Sequence, residues 1–187
     1  LLGRLDDAMV ASMGRLIEVA GDAPIVLPLS GGNDSRLLLL MLRRLGHENV
    51  VTFTYGKAGN REAAISENVA AKLGYTWHFV PYTPSAWRRW AISQAAHVQH
   101  QKSHHLSVLP HIQDAPALEV LCERGLILPG SLVAPGHSGD VHAGSHLTDT
   151  LMNGPISEQG LHHAILTKYF RFNENERRAQ LDSGVMA

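Results

Sequence analysis

The sequence predicts an α/β protein built on a doubly wound parallel sheet with helices on both faces. Short apolar runs rich in β-branched residues lie at Ile25–Leu29, Val50–Tyr55 and Thr76–Val80. Stretches with helical spacing of apolar residues separate these runs, and glycine or proline ends each element. Strands that alternate with helices form parallel sheets, because each crossover helix returns the chain to the same end of the sheet. This pattern predicts a Rossmann-like architecture.

The remaining elements follow from apolar periodicity and from residues that break secondary structure. Helices are predicted over residues 4–20, 34–44, 62–73 and, with weaker patterning, 157–182. Residues 85–125 are predicted to be mainly helical, with interruptions near Pro110 and Pro116. A short fourth strand is predicted at Ile127–Leu128, with Leu132–Val133 either part of it or a separate edge.

Composition narrows the class of protein further. The length of 187 residues predicts one domain over residues 1–187, and a formal charge of −1 without charge blocks disfavours nucleic-acid and membrane surfaces. No apolar run approaches membrane-spanning length and no signal-peptide pattern opens the chain, so the cytoplasm is the expected location. The single cysteine, Cys122, excludes a disulfide within one chain and is expected to be buried. Because Leu1 rather than Met opens the sequence, we expect a piece of a longer protein.

The turn after the first strand has the chemistry of a phosphate-binding loop. It reads Ser30-Gly31-Gly32-Asn33-Asp34-Ser35 and leads directly into a helix. Glycine lets a backbone approach a ligand closely, the first helical N–H groups lack intrahelical partners, and the two serine hydroxyls add donors. The Asp34 carboxylate repels phosphate, which suggests a Mg²⁺ ion between them. The alternative is an ordinary βα turn in which Asp34 and Ser35 cap the helix.

A second loop, over residues 135–146, is also rich in glycine, hydroxyl groups and imidazole around one acid, Asp140. Asp140 is a candidate second ligand for the cation that Asp34 implies, because Mg²⁺ sites commonly use two carboxylates. The alternative is a solvated turn. Two histidine pairs, His100 with His104 and His142 with His146, have helical metal-ligand spacing, but a polar surface or a pocket lining is favoured over zinc.

The first loop resembles the SGGxDS signature of the N-type ATP pyrophosphatases, which have an adenine nucleotide alpha hydrolase-like fold and include asparagine synthetase and NAD synthetase. The resemblance implies that the loop binds Mg²⁺-ATP. It also implies that the protein adenylates a small-molecule carboxylate, including sugar-derived ones, and releases pyrophosphate before an amide forms. An ammonia-supplying glutaminase domain or protein is the implied partner, because no such domain precedes the loop.

The second loop resembles the corresponding loop of the asparagine synthetase branch, which closes over pyrophosphate. On this likeness Gly136 matches an early glycine and Asp140 the Mg²⁺-binding aspartate, while His137 and Val141 stand where the family has glutamates. The strand end at Tyr55 is similar to the one that contacts adenine. The whole pattern looks most like asparagine synthetase-related proteins of bacterial surface-polysaccharide gene clusters.

These inferences assign a set of candidate residues. The catalytic candidates are Asp34, Asp140 and His137, and the metal ligands are Asp34 and Asp140. The nucleotide-binding candidates are Leu29, Ser30, Gly31, Gly32, Asn33, Asp34, Ser35, Tyr55 and Gly136. Two other functions stay open: a degenerate module that binds nucleotide without turnover, and a tRNA-modifying enzyme with the same loop.

Overall fold

The protein is described by a computed structural model that covers residues 2–103, 112–136 and 157–169. Contacts divide the chain into two compact units, Leu1–His137 and Ser138–Ala187. The first unit contains the sheet, and the second is described here by one helix. No helix within the described ranges has both the length and the apolar character needed to cross a membrane.

Helices and strands alternate along the first unit, as the sequence predicts. The strands are β1 (Ile25–Pro28), β2 (Val50–Gly56), β3 (Thr76–Pro81) and β4 (Leu132–Val133). The helices are α1 (Leu2–Ala20), α2 (Asn33–Arg44), α3 (Arg61–Leu73), α4 (Pro84–Ala91), α5 (Gln94–Ser103) and α6 (Ala115–Glu123), with α7 (Glu158–Tyr169) in the second unit. The helix predicted over 157–182 is described as far as Tyr169.

The four strands form one parallel sheet in the order β3-β2-β1-β4. Ile25 of β1 pairs with Val50 of β2 on one side and with Leu132 of β4 on the other. The chain thus adds strands outward from β1 in one direction and then returns to the opposite side of β1. In open α/β sheets, ligands bind at the carboxyl ends of the strands where the order reverses, which here is the end of β1.

Two apolar clusters cover the two faces of this sheet. One contains Ile25 and Leu27 of β1 together with buried residues of α1, α2 and α3, and the other contains Val26 and Phe53 with Ala117 and Leu121 of α6. The alternation along β1 follows from the strand's period of two, which sends successive side chains to opposite faces. The predicted doubly wound parallel sheet, with helices on both faces, is confirmed.

Two details differ from the sequence predictions. Ile127–Leu128 is not a strand, because Leu128 begins a turn. Its N–H donates to the Ser131 hydroxyl at 3.1 Å, and its carbonyl accepts from the same hydroxyl at 2.7 Å. The Leu132–Val133 pair is the separate edge strand instead. Cys122 was expected in the core but is exposed, because it lies on the outer side of α6.

Candidate nucleotide site

Helix α2 begins without a side-chain cap. Its N-cap residue is Gly32, with φ −73° and ψ 165°, and no side chain accepts a cap hydrogen bond there. Helix α3 differs, because the Asn60 side chain accepts from the N–H of Ala63 at 2.7 Å. The first N–H groups of a helix have no intrahelical partner and carry partial positive charge. The start of α2 therefore keeps the donors that would bind an anion.

Two serine hydroxyls lie against this helix start. The N–H of Ser30 donates to Ser35 Oγ at 3.0 Å, the two hydroxyl oxygens are 3.1 Å apart, and the N–H of Gly32 donates to Ser30 Oγ at 3.1 Å. Ser35 is buried and Ser30 is half-buried. These bonds fold the loop into a compact turn that places hydroxyl and amide donors side by side.

The end of β1 is fixed by polar side chains from neighbouring elements. The carbonyl of Leu29 accepts from the buried hydroxyls of Thr54 at 2.7 Å and Ser66 at 3.0 Å, while its N–H donates to the carbonyl of Phe53 at 2.8 Å. Trp77 Nε1 donates to the Thr54 hydroxyl at 2.9 Å. Because both backbone polar groups of Leu29 bind protein partners, Leu29 serves to hold Ser30 in place.

Gly136, after β4, packs against the first turn of α2. A Cβ atom at this position would lie 2.9 Å from the backbone nitrogen of Ser35 and 3.2 Å from its Cα. Backbone atoms cannot move aside as a flexible side chain can, so any larger residue would displace the start of α2. The loop after β4 and the loop after β1 thus meet at this glycine.

A cavity of about 320 Å³ opens at this edge of the sheet, a size within the usual range for small-molecule sites. It brings together seven of the predicted nucleotide-binding residues: Leu29, Ser30, Gly32, Asp34, Ser35, Tyr55 and Gly136. Its lining is completed by Pro28, Phe53, Thr54, Glu62, Gln113 and Asp114.

Two predicted residues lie beside this cavity, and two others cannot be placed. A Cβ atom on Gly31 would face Ile65 and Glu62 of α3, and the Asn33 side chain accepts from Arg36 at 2.6 Å. Neither is among the residues that line the cavity. His137 and Asp140 lie outside the described residues, so their proposed roles in catalysis and metal binding stay predictions.

Beside the predicted Tyr55, the cavity lining contains Asp114, which the sequence did not single out. Tyr55 stacks on Tyr82 with ring centroids 4.9 Å apart, and its hydroxyl is hydrogen-bonded to Asp114, whose residue exposure is only 7%. Burial raises the pKa of the Tyr55 hydroxyl, and the nearby Asp114 carboxylate raises that pKa further. The hydroxyl therefore stays protonated at neutral pH and donates to the carboxylate.

Asp114 holds the N-cap position of α6 but makes no cap hydrogen bond. The Tyr82 hydroxyl takes that role instead, because it accepts from the N–H of Ala117 at 3.0 Å and donates to the carbonyl of Gln113 at 2.7 Å. Asp114 thus lines the cavity and does not cap its own helix.

The structure describes one member of the pair His100 and His104. His100 Nδ1 is hydrogen-bonded to the carbonyl of Ala96 at 2.8 Å, while His104 lies outside the described residues. Across residues 2–103, 112–136 and 157–169, no group of three or more histidine, cysteine, aspartate or glutamate side chains is placed to hold a metal ion.

The fold and the cavity define an α/β domain whose α2 helix begins, without a side-chain cap, at the topological switch point of the sheet. A profile of the asparagine synthase family matches residues 4–107, more than half of the chain. The chain belongs to the asparagine synthase family, which confirms the resemblance read from its first loop. Membership of this family indicates an ATP-utilising, synthetase-type domain.

The solved structures include similar folds at low sequence identity. The NH3-dependent NAD synthetase of Campylobacter jejuni superposes with a TM-score of 0.50 at 16% identity, over 99% of this chain and 82% of the other. The glutamine-dependent NAD+ synthetase of Acinetobacter baumannii, solved with ADP, gives a TM-score of 0.43 at 15% identity, over 87% and 32%. A search of curated proteins finds no match.

Proposed function

We propose that this domain binds Mg²⁺-ATP and transfers its adenylyl group to a small-molecule carboxylate, sugar-derived ones included. A carboxylate oxygen of the substrate attacks the α-phosphorus, the bond between that phosphorus and the bridging oxygen breaks, and pyrophosphate leaves. An amine, or ammonia from a glutaminase domain or partner protein, then displaces AMP and forms an amide. This chain's membership of the asparagine synthase family supports this class of reaction.

The uncapped start of α2 is the observation that carries the proposal. It combines free helical N–H groups, the Ser30 and Ser35 hydroxyls, and a cavity at the switch point of the sheet. Donors arranged in advance stabilise negative charge without reorganising during the reaction, which is how such sites lower barriers for phosphate chemistry. The loop would hold the phosphates while the rest of the cavity orients the nucleoside.

Asp34 fits a Mg²⁺ ion that accompanies the phosphates. Its carboxylate belongs to the first turn of α2 and lines the cavity, beside the donors that would bind phosphate. A bound Mg²⁺ ion would neutralise charge on the pyrophosphate leaving group. We propose Asp140 as the second carboxylate ligand and His137 as a group that donates a proton or positive charge, both on the strength of the family pattern.

Calorimetric titration with ATP, in the presence and absence of Mg²⁺, tests this function. We expect Mg²⁺-dependent binding that weakens about tenfold or more in Asp34→Ala and Asp140→Ala, because each variant loses a charged ligand. Asp7→Ala is the matched control, since it removes an exposed carboxylate of α1 away from the cavity. Binding that ignores Mg²⁺ and both substitutions would remove the metal from the proposal.

The second candidate is a module that binds nucleotide without turning it over. His137 and Val141, at positions where relatives of the asparagine synthetase branch have glutamates, favour it. A pyrophosphate-release assay with a panel of carboxylates separates the two functions. Release above the rate without enzyme supports the synthetase, while tight ATP binding without any release supports the silent module.

A further inference from the structure

Asp114 occupies a place in the cavity that the phosphate chemistry does not explain. Asp114 lines the same cavity as the α2 loop but lies at the start of α6, which packs on the other face of the sheet. A carboxylate only accepts hydrogen bonds, so it would repel phosphates and attract hydroxyl or amino groups.

Asp114 is linked through Tyr55 to Tyr82. The Tyr55 hydroxyl is hydrogen-bonded to the carboxylate, and Tyr55 is itself stacked on Tyr82. Tyr82 caps α6 at Ala117 and so performs the task that an aspartate at an N-cap position usually performs. A buried carboxylate that lines a cavity without capping its helix is well suited to bind a ligand that offers donor groups.

We propose that Asp114 is a specificity-determining residue that accepts hydrogen bonds from the nucleoside half of ATP. The inference rests on the proposed function, because it needs the triphosphate bound at the α2 loop. Two parts of the nucleoside offer the required chemistry, the ribose hydroxyls and the amino group of adenine. The cavity would then have one wall that donates to the phosphates and one wall that accepts from the nucleoside.

Titration of the full 187-residue chain with Mg²⁺-ATP and with Mg²⁺-tripolyphosphate tests the proposal. In Asp114→Asn we expect ATP affinity to fall about tenfold or more, because hydrogen bonds to charged groups are among the strong ones. Tripolyphosphate affinity should stay equal or rise. Removing a negative charge near a polyanion should strengthen binding through charge alone. Weaker ATP binding by Asp114→Asn would therefore point to a lost hydrogen bond and not to the change in charge.

Glu119→Gln is the matched control variant. Glu119 lies on the same helix and is half-buried, but it does not line this cavity. Its substitution by Gln removes the same unit of negative charge as Asp114→Asn. We expect its affinities for ATP and tripolyphosphate to match those of the unsubstituted chain. Circular dichroism of both variants verifies the fold, and the Tyr82 cap on α6 remains in place in each.

ATP analogues identify which group of the nucleoside is the donor. With the unsubstituted chain, we expect one of 2′-deoxy-ATP, 3′-deoxy-ATP and purine riboside triphosphate to bind about tenfold more weakly than ATP. That analogue should also be insensitive to Asp114→Asn. ATP binding by Asp114→Asn at full strength, equal losses for ATP and tripolyphosphate, or analogues that all bind like ATP would each overturn the inference.

Failure of the proposed function gives a different result. An unsubstituted chain that binds neither ATP nor tripolyphosphate overturns that function, and the role of Asp114 falls with it. An unsubstituted chain that binds both, with no effect of Asp114→Asn on ATP, overturns the role of Asp114 alone.

Discussion

Helices α2 and α6 both begin at the cavity, but the residues at their N-cap positions have opposite hydrogen-bonding chemistry. At α2 the N-cap residue is Gly32, so the first N–H groups keep their capacity to donate. At α6 the N-cap residue is Asp114, and a tyrosine from after β3 satisfies the helix in its place. The residue at the N-cap position thus decides whether a helix start presents backbone donors or an acceptor side chain.

The comparison shows how one cavity can bind a ligand with two different ends. The dipole of each helix favours negative charge at its start. At α2 that charge would come from the phosphates of the ligand, and at α6 the protein itself supplies it through Asp114. Reversing either arrangement by substitution tests whether the difference in capping determines what binds.

The largest effect on ATP affinity is expected when an aspartate is placed at the N-cap position of α2. Gly32 has backbone angles that any residue adopts, although a new Cβ would lie 3.2 Å from Ser30 Oγ. In Gly32→Asp the carboxylate would bind the helical N–H groups and repel phosphate. We expect ATP affinity to fall about 100-fold or more, with a gain of about a few tenths of a kcal/mol in the free energy of unfolding.

Titration and chemical denaturation measure the two quantities for Gly32→Asp, with Gly32→Ala as the control. Alanine adds the Cβ without a capping oxygen, so it should weaken ATP binding much less. Unchanged ATP affinity in Gly32→Asp would show that the start of α2 does not bind the phosphates.

The next largest effect is expected at the contact between Gly136 and α2. In Gly136→Ala the new Cβ would meet backbone atoms of Ser35, so the first turn of α2 must shift. We expect a loss of about 1–3 kcal/mol in the free energy of unfolding, together with weaker ATP binding. Gly31→Ala is the control for stability, because its Cβ would make an ordinary 3.4 Å contact with Ile65 Cδ1. Equal stability of the two variants would contradict the close approach of the loops.

A smaller effect is expected from removing the cap of α6. Tyr82→Phe leaves the N–H of Ala117 and the carbonyl of Gln113 without this partner, which predicts a loss of about 1–2 kcal/mol in the free energy of unfolding. Tyr75→Phe is a matched control that removes one hydroxyl donating to a backbone carbonyl, that of His47 at 2.6 Å. A Tyr82→Phe variant as stable as the unsubstituted chain in urea would show that Tyr82 does not cap α6.

The smallest effect is expected at the far end of α2, where charge acts in solvent. Arg44 donates to the Asp6 carboxylate at 2.9 Å and lowers the pKa of Asp6, and both side chains are well exposed. A lowered pKa gives stability that is complete above the unfolded value of about 3.9 and is lost as the pH falls through the folded value. Thermal midpoints should therefore differ slightly between Asp6→Asn and the unsubstituted chain at neutral pH, and coincide in strong acid. A difference that grows in acid would contradict this sign.

Most of the fold was readable from sequence because local patterns determine it. The strands from Ile25, Val50 and Thr76 are short apolar runs between glycine and proline, and the structure begins β1, β2 and β3 at these residues. Strand β4 was harder, because it has two residues and its pairing with Ile25 depends on a partner far away in the chain. Local pattern instead favoured Ile127, whose side chain is buried but whose backbone is not in a strand.

For the same reason, the sequence predicted the loop after β1 but not the part of the cavity around Asp114. The loop from Ser30 to Ser35 carries its chemistry in consecutive residues, so its motif could be recognised without a fold. The role of Asp114 depends on Tyr82, which precedes it by many residues and takes over its cap only in the folded chain. An aspartate one position before a helix that starts Ala115-Pro116 looks like an ordinary cap in sequence. The hydroxyls of Thr54 and Ser66 were missed likewise, because Leu29 joins them only in space.

The shortness of β4 has a consequence for how the cavity opens. Two residue pairs join β4 to β1, whereas four join β1 to β2. Segments with few pairings separate from a sheet more often than the whole domain unfolds. The amides of Leu132 and Ala134, which bind Pro24 and Val26 at 3.0 and 2.9 Å, should therefore exchange with deuterium before that of Leu29. Because Gly136 follows β4 and packs against Ser35, each such opening would also loosen the first turn of α2.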